Sequence, residues 1–332
     1  MIPECPTIAT TPTRFGFHVE LRRLALSFLA LACMSQARAA PFAYVPNERS
    51  GTVSVIDTAS DRVVATINTG GKPRGIAATP DGRRLYVSDQ PSGSLVVVDL
   101  AAREVSERIP VGKSPEGVGI SRDGAWIAVA VEENNSVSLI RAAAPREATS
   151  VRVGGQNPEH VVFSPDGKWL YVSAEDGAAV DVIDVAKRSA VKLIKVGERP
   201  RGIGFLPDGS RAYVAAENSD RVYVIDCERA EVIAVIAAGK RANGIAVRPD
   251  GKVVFVSNGG DASVSAIDVA SGKITATVPV GQRPWNMALT PDGKKLYVAN
   301  GRSNSVSVID AEAMTPLREV PVGEAPWGVV VR

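Results

Sequence analysis

The feature that most constrains this chain is a repeat of about 42 residues. Asp-Gly turns place their Asp at positions 81, 123, 166, 208, 250 and 292, at spacings of 42, 43, 42, 42 and 42. Five of these turns read Pro-Asp-Gly, and Arg122-Asp123-Gly124 fills the remaining place. A Tyr-Val-like dipeptide starts at Tyr44, Tyr86, Ala128, Tyr171, Tyr213, Phe255 and Tyr297. A Gly-x-x-Pro-like element begins at Gly70, Gly112, Gly155, Gly197, Gly239, Gly281 and Gly323. Self-similarity of this kind makes each unit one supersecondary structure that cannot bury its apolar face alone, so units must stack. The regular spacing also excludes a disordered or collagen-like chain, despite 30 Gly and 22 Pro.

Helical arrays and four-stranded propeller blades share a period near 42, so the local pattern decides between them. Segments such as Thr52–Asp57 and Ser305–Asp310 alternate apolar and polar residues, while Gly and Pro recur too often for helices. Pro presets φ for a type I turn and the following Gly takes positive φ, which closes a hairpin. Each unit therefore reads as four strands, and the chain as all-β. The 293 residues after position 39 hold almost seven units. They enter at a second-type strand, Ala43-Tyr44-Val45, and leave at a first-type strand, Gly328–Val331. The expected fold is a seven-bladed β-propeller over 40–332, with one blade sewn from both termini so that no sheet edge is left open between them. An open solenoid is the alternative.

Residues 1–39 read differently. Arg22 and Arg23 precede the apolar run Leu24–Cys33, and Ala37-Arg38-Ala39 supplies a small-residue cleavage site, the pattern of a secretory signal peptide. Cleavage is expected after Ala39, giving a periplasmic or secreted protein without a membrane span. The apolar run is about half the roughly 20 residues a span requires, and Ala30 stands where a lipoprotein signal carries Leu. Residues 1–20 are long and polar for a signal peptide, which suggests an overlong start. Cleavage removes Arg14, Arg22, Arg23 and Arg38 against Glu4 and Glu20, leaving 34 basic and 34 acidic residues. That balance offers no general attraction for nucleic acid. Cys5 and Cys33 leave with the leader, and Cys227, with no cationic neighbour in sequence, reads as a packing residue.

The elements Tyr44-Val45-Pro46-Asn47, Tyr171-Val172-Ser173-Ala174 and Tyr297-Val298-Ala299-Asn300, each followed by a Ser-Val-x-Val-Ile-Asp-like strand, resemble the YVTN-repeat β-propellers. The resemblance spans residues 41–332 and is closest in form to the PQQ-dependent catabolism-associated β-propeller proteins. It implies the propeller fold and an association with quinoprotein alcohol oxidation, but no particular reaction. Ala128 and Arg141 depart from the repeat and mark the third unit as less regular.

In a propeller the repeated residues are scaffold, and positions that vary where loops meet the axis are candidates for function. The residue after the Pro position is Arg74, Glu116, Glu159, Arg201, Asn243, Trp285 and Trp327 in successive units. With His160 and Asn286 these form the candidate ligand- or partner-binding mouth of the channel. Ring closure sets Trp285, Trp327 and Arg74 on three consecutive units, where the indoles either fill space or dock a partner. Carboxylates after the second strands, Glu132-Glu133, Glu175-Asp176 and Glu217, read as solvated loops because no dense Asp series is present to hold a cation. No catalytic residue, metal or cofactor is expected. The sequence supports an exported, monomeric, non-enzymatic binding or scaffold protein. The resemblance suggests a quinoprotein dehydrogenase or a c-type cytochrome as partner. Alternatives are a lactonase-like or redox propeller enzyme and a periplasmic single-strand nucleic-acid binder.

Overall fold

The first three strands of every blade have apolar residues facing both sides, because each blade is sandwiched between two others. Thr52–Asp57 buries Val53, Ser54, Val55 and Ile56 in succession. The fourth strand is different. Arg62–Asn68 is exposed along most of its length and buries Ile67 alone. These properties come from a computed structural model that describes Met1 and residues Pro41–Arg332. The expected leader, with Ala39, Cys5 and Cys33, lies outside the described residues.

Seven four-stranded antiparallel sheets form the propeller. The innermost strands are Pro73–Ala78, Pro115–Ile120, Pro158–Phe163, Pro200–Phe205, Ala242–Val247 and Pro284–Leu289 in blades two to seven. In blade one, Val330–Val331 takes this place and pairs with Phe42–Asn47, followed by Thr52–Asp57 and Arg62–Asn68. Closure from both termini is thus present, although the C-terminal strand is two residues long. Its hold is extended by Phe42 N–H to Arg332 O (2.7 Å), Arg332 N–H to Phe42 O (2.9 Å) and Trp327 N–H to Pro46 O (3.0 Å). Where blade seven meets blade one, Lys295 Nζ reaches Asp61 (2.7 Å) and Thr58 O (2.9 Å), and the Tyr297 hydroxyl donates to Asp61.

The core lies between blades rather than within them. Tyr44, Val53 and Val55 of blade one, for example, pack on Leu85, Val87 and Val96 of blade two. Each such side chain fully withdrawn from water is worth roughly 1.5–3 kcal/mol. Toward the axis the packing becomes too close for side chains. A Cβ on Gly75, Gly117, Gly202 or Gly244 would come within 2.2–2.7 Å of a carbonyl oxygen of the next innermost strand. His160 and Asn286 occupy this same ring position in blades four and seven.

The third blade keeps four strands, with a bulge between Leu139 and Arg141. Ala128 is fully buried, and the Arg141 guanidinium stacks 4.5 Å from the Trp126 ring, a use for the charge that replaces the usual Asp. Cys227 is partly buried, and burial pushes its thiol up to about 11, consistent with a packing role. No helix among the described residues is long and apolar enough to cross a membrane.

Candidate functional site

Two sets of loops meet at the channel end where the innermost strands begin. The residue before the Pro position has left-handed backbone at Ser114, Asn157, Arg199, Arg241, Arg283 and Ala325, with φ between 53° and 57°. That conformation costs a non-glycine residue roughly 1–2 kcal/mol. A backbone bond to the second loop set offsets it. Glu217 N–H donates to Arg199 O (2.9 Å), Gly259 N–H to Arg241 O (2.9 Å) and Gly301 N–H to Arg283 O (3.0 Å). Each bond ties the residue after the second strand to the residue before the Pro, and in blade five this sets Glu217 beside Arg199.

The charges are sorted by blade. Glu116, Glu132, Glu159 and Glu175 lie on blades three and four, whereas Arg199, Arg201, Arg241 and Arg283 lie at the starts of blades five to seven. Glu217, whose side chain is 0% exposed, sits among the arginines. It receives Arg201 Nε at 2.9 Å, Arg241 Nη2 at 2.8 Å, Arg283 Nη2 at 2.6 Å and Arg199 Nε at 3.4 Å. Arg201 also bridges to Glu159 (2.5 Å) and Glu175 (3.0 Å), and Arg199 pairs with Glu175. On the other side, Arg74 binds Glu116 (2.6 Å) and Glu48 (3.3 Å), and Gln90 donates to Glu116. The expectation of solvated carboxylate loops is therefore corrected at Glu217 and Glu175. Their blades point them inward, where arginines of the following blades, and for Glu217 also of its own blade, cover them.

Burial acts against the charged form of Glu217, Glu116 and Glu175, and their different charged neighbours decide the outcome. Glu217 is held down to about 2, its desolvation overcome by Arg201 and Arg283. Glu116 goes the other way, up to about 8, through burial and repulsion from Glu159 that Arg74 does not offset. Burial also raises Glu175, to about 7, against Arg201 and Arg199. His160 is half-buried, and desolvation lowers it to about 4, leaving the imidazole neutral.

Between these groups lies a cavity of about 220 Å³. Of the sequence candidates, Arg74, Glu159, Arg201, Asn243, Trp285, Asn286 and Trp327 line it; Glu116 lies behind Arg74, and His160 stands in the neighbouring ring position. The indoles of Trp285 and Trp327 and the Arg74 guanidinium thus border one space. The guanidinium stacks on indole found among the described residues are both at Trp126, from Arg141 and Arg188. Arg199 and Arg283 also line the cavity and were missed by the sequence reading. Their signal was present, since the residue before the Pro position is Arg in three consecutive units, at 199, 241 and 283.

The model of one protein family, described as YNCE-like beta-propeller, matches residues 31–332. No curated protein matches the chain. Among solved structures, hydrazine synthase of Kuenenia stuttgartiensis is similar at 26% identity and a TM-score of 0.74, over 81% of this chain and 92% of that one. A functionally unknown protein from Desulfotomaculum acetoxidans has a TM-score of 0.78 at 17% identity, over 87% of this chain and 98% of its own. Dihydro-heme d1 dehydrogenase NirN, solved in complex with DHE, has a TM-score of 0.65 at 16% identity, over 90% and 76% respectively. The last two likenesses are of fold alone.

Proposed function

The chain belongs to the YNCE-like β-propeller family, and from that premise we propose that it is an exported, non-enzymatic binding protein whose channel mouth is its binding site. The observation that carries this reading is the convergence of Trp285, Trp327 and the guanidiniums of Arg74, Arg199, Arg201 and Arg283 on one cavity. Aromatic and arginine side chains grouped in a partly desolvated pocket have the composition of binding hot spots. The mouth carboxylates Glu159, Glu175 and Glu217 are tied to guanidiniums, an arrangement that suits holding a ligand better than moving a proton. Export to the periplasm rests on the leader pattern at 1–39. A role beside quinoprotein-linked alcohol oxidation, with a quinoprotein dehydrogenase or c-type cytochrome as partner, rests on the repeat resemblance.

The test is direct binding of a purified quinoprotein alcohol dehydrogenase and its c-type cytochrome to the mature chain and to a Trp285→Ala, Trp327→Ala double variant. The expected result is capture by the parent and at least tenfold weaker capture by a variant of unchanged melting temperature. No capture by the parent overturns the quinoprotein role, and capture unchanged in the variant removes the indoles from the docking site. N-terminal sequencing of the periplasmic protein should begin at Ala40; a chain retained in the cytoplasm with its leader overturns export. A second reading, a redox or lactonase-like enzyme, draws on the likeness to hydrazine synthase. Stoichiometric haem, quinone or metal in the purified full chain would replace the first reading with it.

A further inference from the structure

Resting on the reading that the channel mouth is a binding site, we propose that its occupant is a small planar organic carboxylate, held by Arg283 and Arg74 and flanked by Trp285 and Trp327. Size comes first. The cavity of about 220 Å³ has the volume of roughly seven liquid waters, and drug-sized ligands occupy about 300–1,000 Å³. A single-ring acid is of the right scale.

The donors define the charge. Arg283 Nη1 and Arg74 Nε are buried and have no acceptor within the protein. Arg283 is close to Arg241 and Arg201, and the carboxylate it contacts, Glu217, is shared with three other guanidiniums. An incoming carboxylate has two oxygens to supply the acceptors that these two nitrogens lack, and it relieves that crowding of like charge. The indoles offer a planar body an apolar face.

Two glycines indicate that this arrangement is accommodated by the blades beneath it. After the second strand, blades one to five carry Glu48, Gln90, Glu132, Glu175 and Glu217, but blades six and seven carry Gly259 and Gly301. A Cβ at 259 would stand 2.9 Å from Arg283 Nη1, and one at 301 would stand 2.8 Å from the Trp285 ring. Gly259 thus lets Arg283 pass from blade seven across blade six to Glu217 on blade five. Gly301 lets the Trp285 indole lie over its own blade. A nucleic-acid strand fits less well, because strand binders use a groove several nucleotides long.

The experiment is calorimetric titration of the full mature chain with benzoate, the uncharged benzamide, the ringless acetate and a ten-nucleotide thymidine strand. Benzoate should bind at one site, at least tenfold more tightly than benzamide or acetate. Arg283→Gln should weaken benzoate at least tenfold, and Gly259→Ala should do so with Arg283 still present, which decides the matter should the first variant fail to fold. Trp285→Ala should weaken benzoate and leave acetate unchanged. Benzamide binding as well as benzoate, benzoate binding unaffected by both Arg283→Gln and Gly259→Ala, or the oligonucleotide binding where benzoate does not would each overturn the proposal. Capture of the quinoprotein partners without benzoate binding overturns this inference alone. Benzoate binding without capture overturns the partner and leaves the ligand.

Discussion

At one end of the channel blades two, three, four and seven turn their innermost hairpins with the same few atoms. Thr79 and Asp81, Ser121 and Asp123, Ser164 and Asp166, and Thr290 and Asp292 each join hydroxyl to carboxylate at 2.5–2.6 Å, and each Asp also accepts a backbone N–H two residues on. At the other end no two blades present the same set, and the bonds run between blades, from Arg201 to Glu159, from Arg241 to Glu217 and from Arg283 across a whole blade to Glu217. The difference teaches how to read a repeat. A residue that recurs with the period is satisfied by its own turn and serves the blade. A residue that changes from blade to blade finds partners on other blades as well as its own, so its role belongs to the assembled ring.

The comparison breaks most severely if the ring is opened. Deleting residues from Gly328 onward removes the Val330–Val331 pairing and the Arg332 bonds to Phe42, at about 1 kcal/mol per backbone bond plus the burial of Val329 and Val331. A loss of about 5 kcal/mol, or 10 °C or more in melting temperature, is expected by calorimetry, and both ends should fail together. A melting temperature unchanged by the truncation would mean that the seam does not hold the ring.

Next in size is Glu217→Ala. Removing the carboxylate leaves four guanidiniums facing one another, and breaking a buried ion pair from one side costs about 3–5 kcal/mol. Denaturant titration should register that loss at the mouth, whereas Asp166→Ala at the opposite end should cost only about 1 kcal/mol, the scale of one net hydrogen bond. Equal costs would erase the distinction between the two ends.

A smaller effect separates the ends by pH. The Ser164 hydroxyl holds the Asp166 carboxyl below its ordinary value of 3.8, so its contribution is present above that value and is lost on further acidification. Glu116 has the opposite sign. Raised from 4.5 to about 8 by burial, it contributes fully below 4.5 and loses that contribution as pH rises through about 8. Melting temperatures from pH 3 to 9 should show Asp166→Asn flattening the acid limb and Glu116→Gln flattening the fall toward alkaline pH. Glu175, raised to about 7, adds to the alkaline fall. The smallest effect expected is at the turn caps. Asp310→Asn disturbs two backbone bonds at an exposed turn and should change stability by less than about 1 kcal/mol in the same denaturant titration.

The sequence by itself determined the blade count, the four-stranded unit, the closing strand and the ring of variable positions at the mouth, because each follows from period, alternation and turn chemistry acting over a few residues. It also placed Trp285, Trp327 and Arg74 on consecutive blades, a matter of circular order alone. Only the tertiary structure decided that Glu217 is buried and shared by four arginines, that Arg283 skips a blade to reach it, and that Gly259 and Gly301 leave the room for Arg283 and Trp285. The physical reason is that these meetings depend on how closely seven loops approach around the axis and on the reach of long side chains across that gap, distances that a repeat read along the chain does not contain.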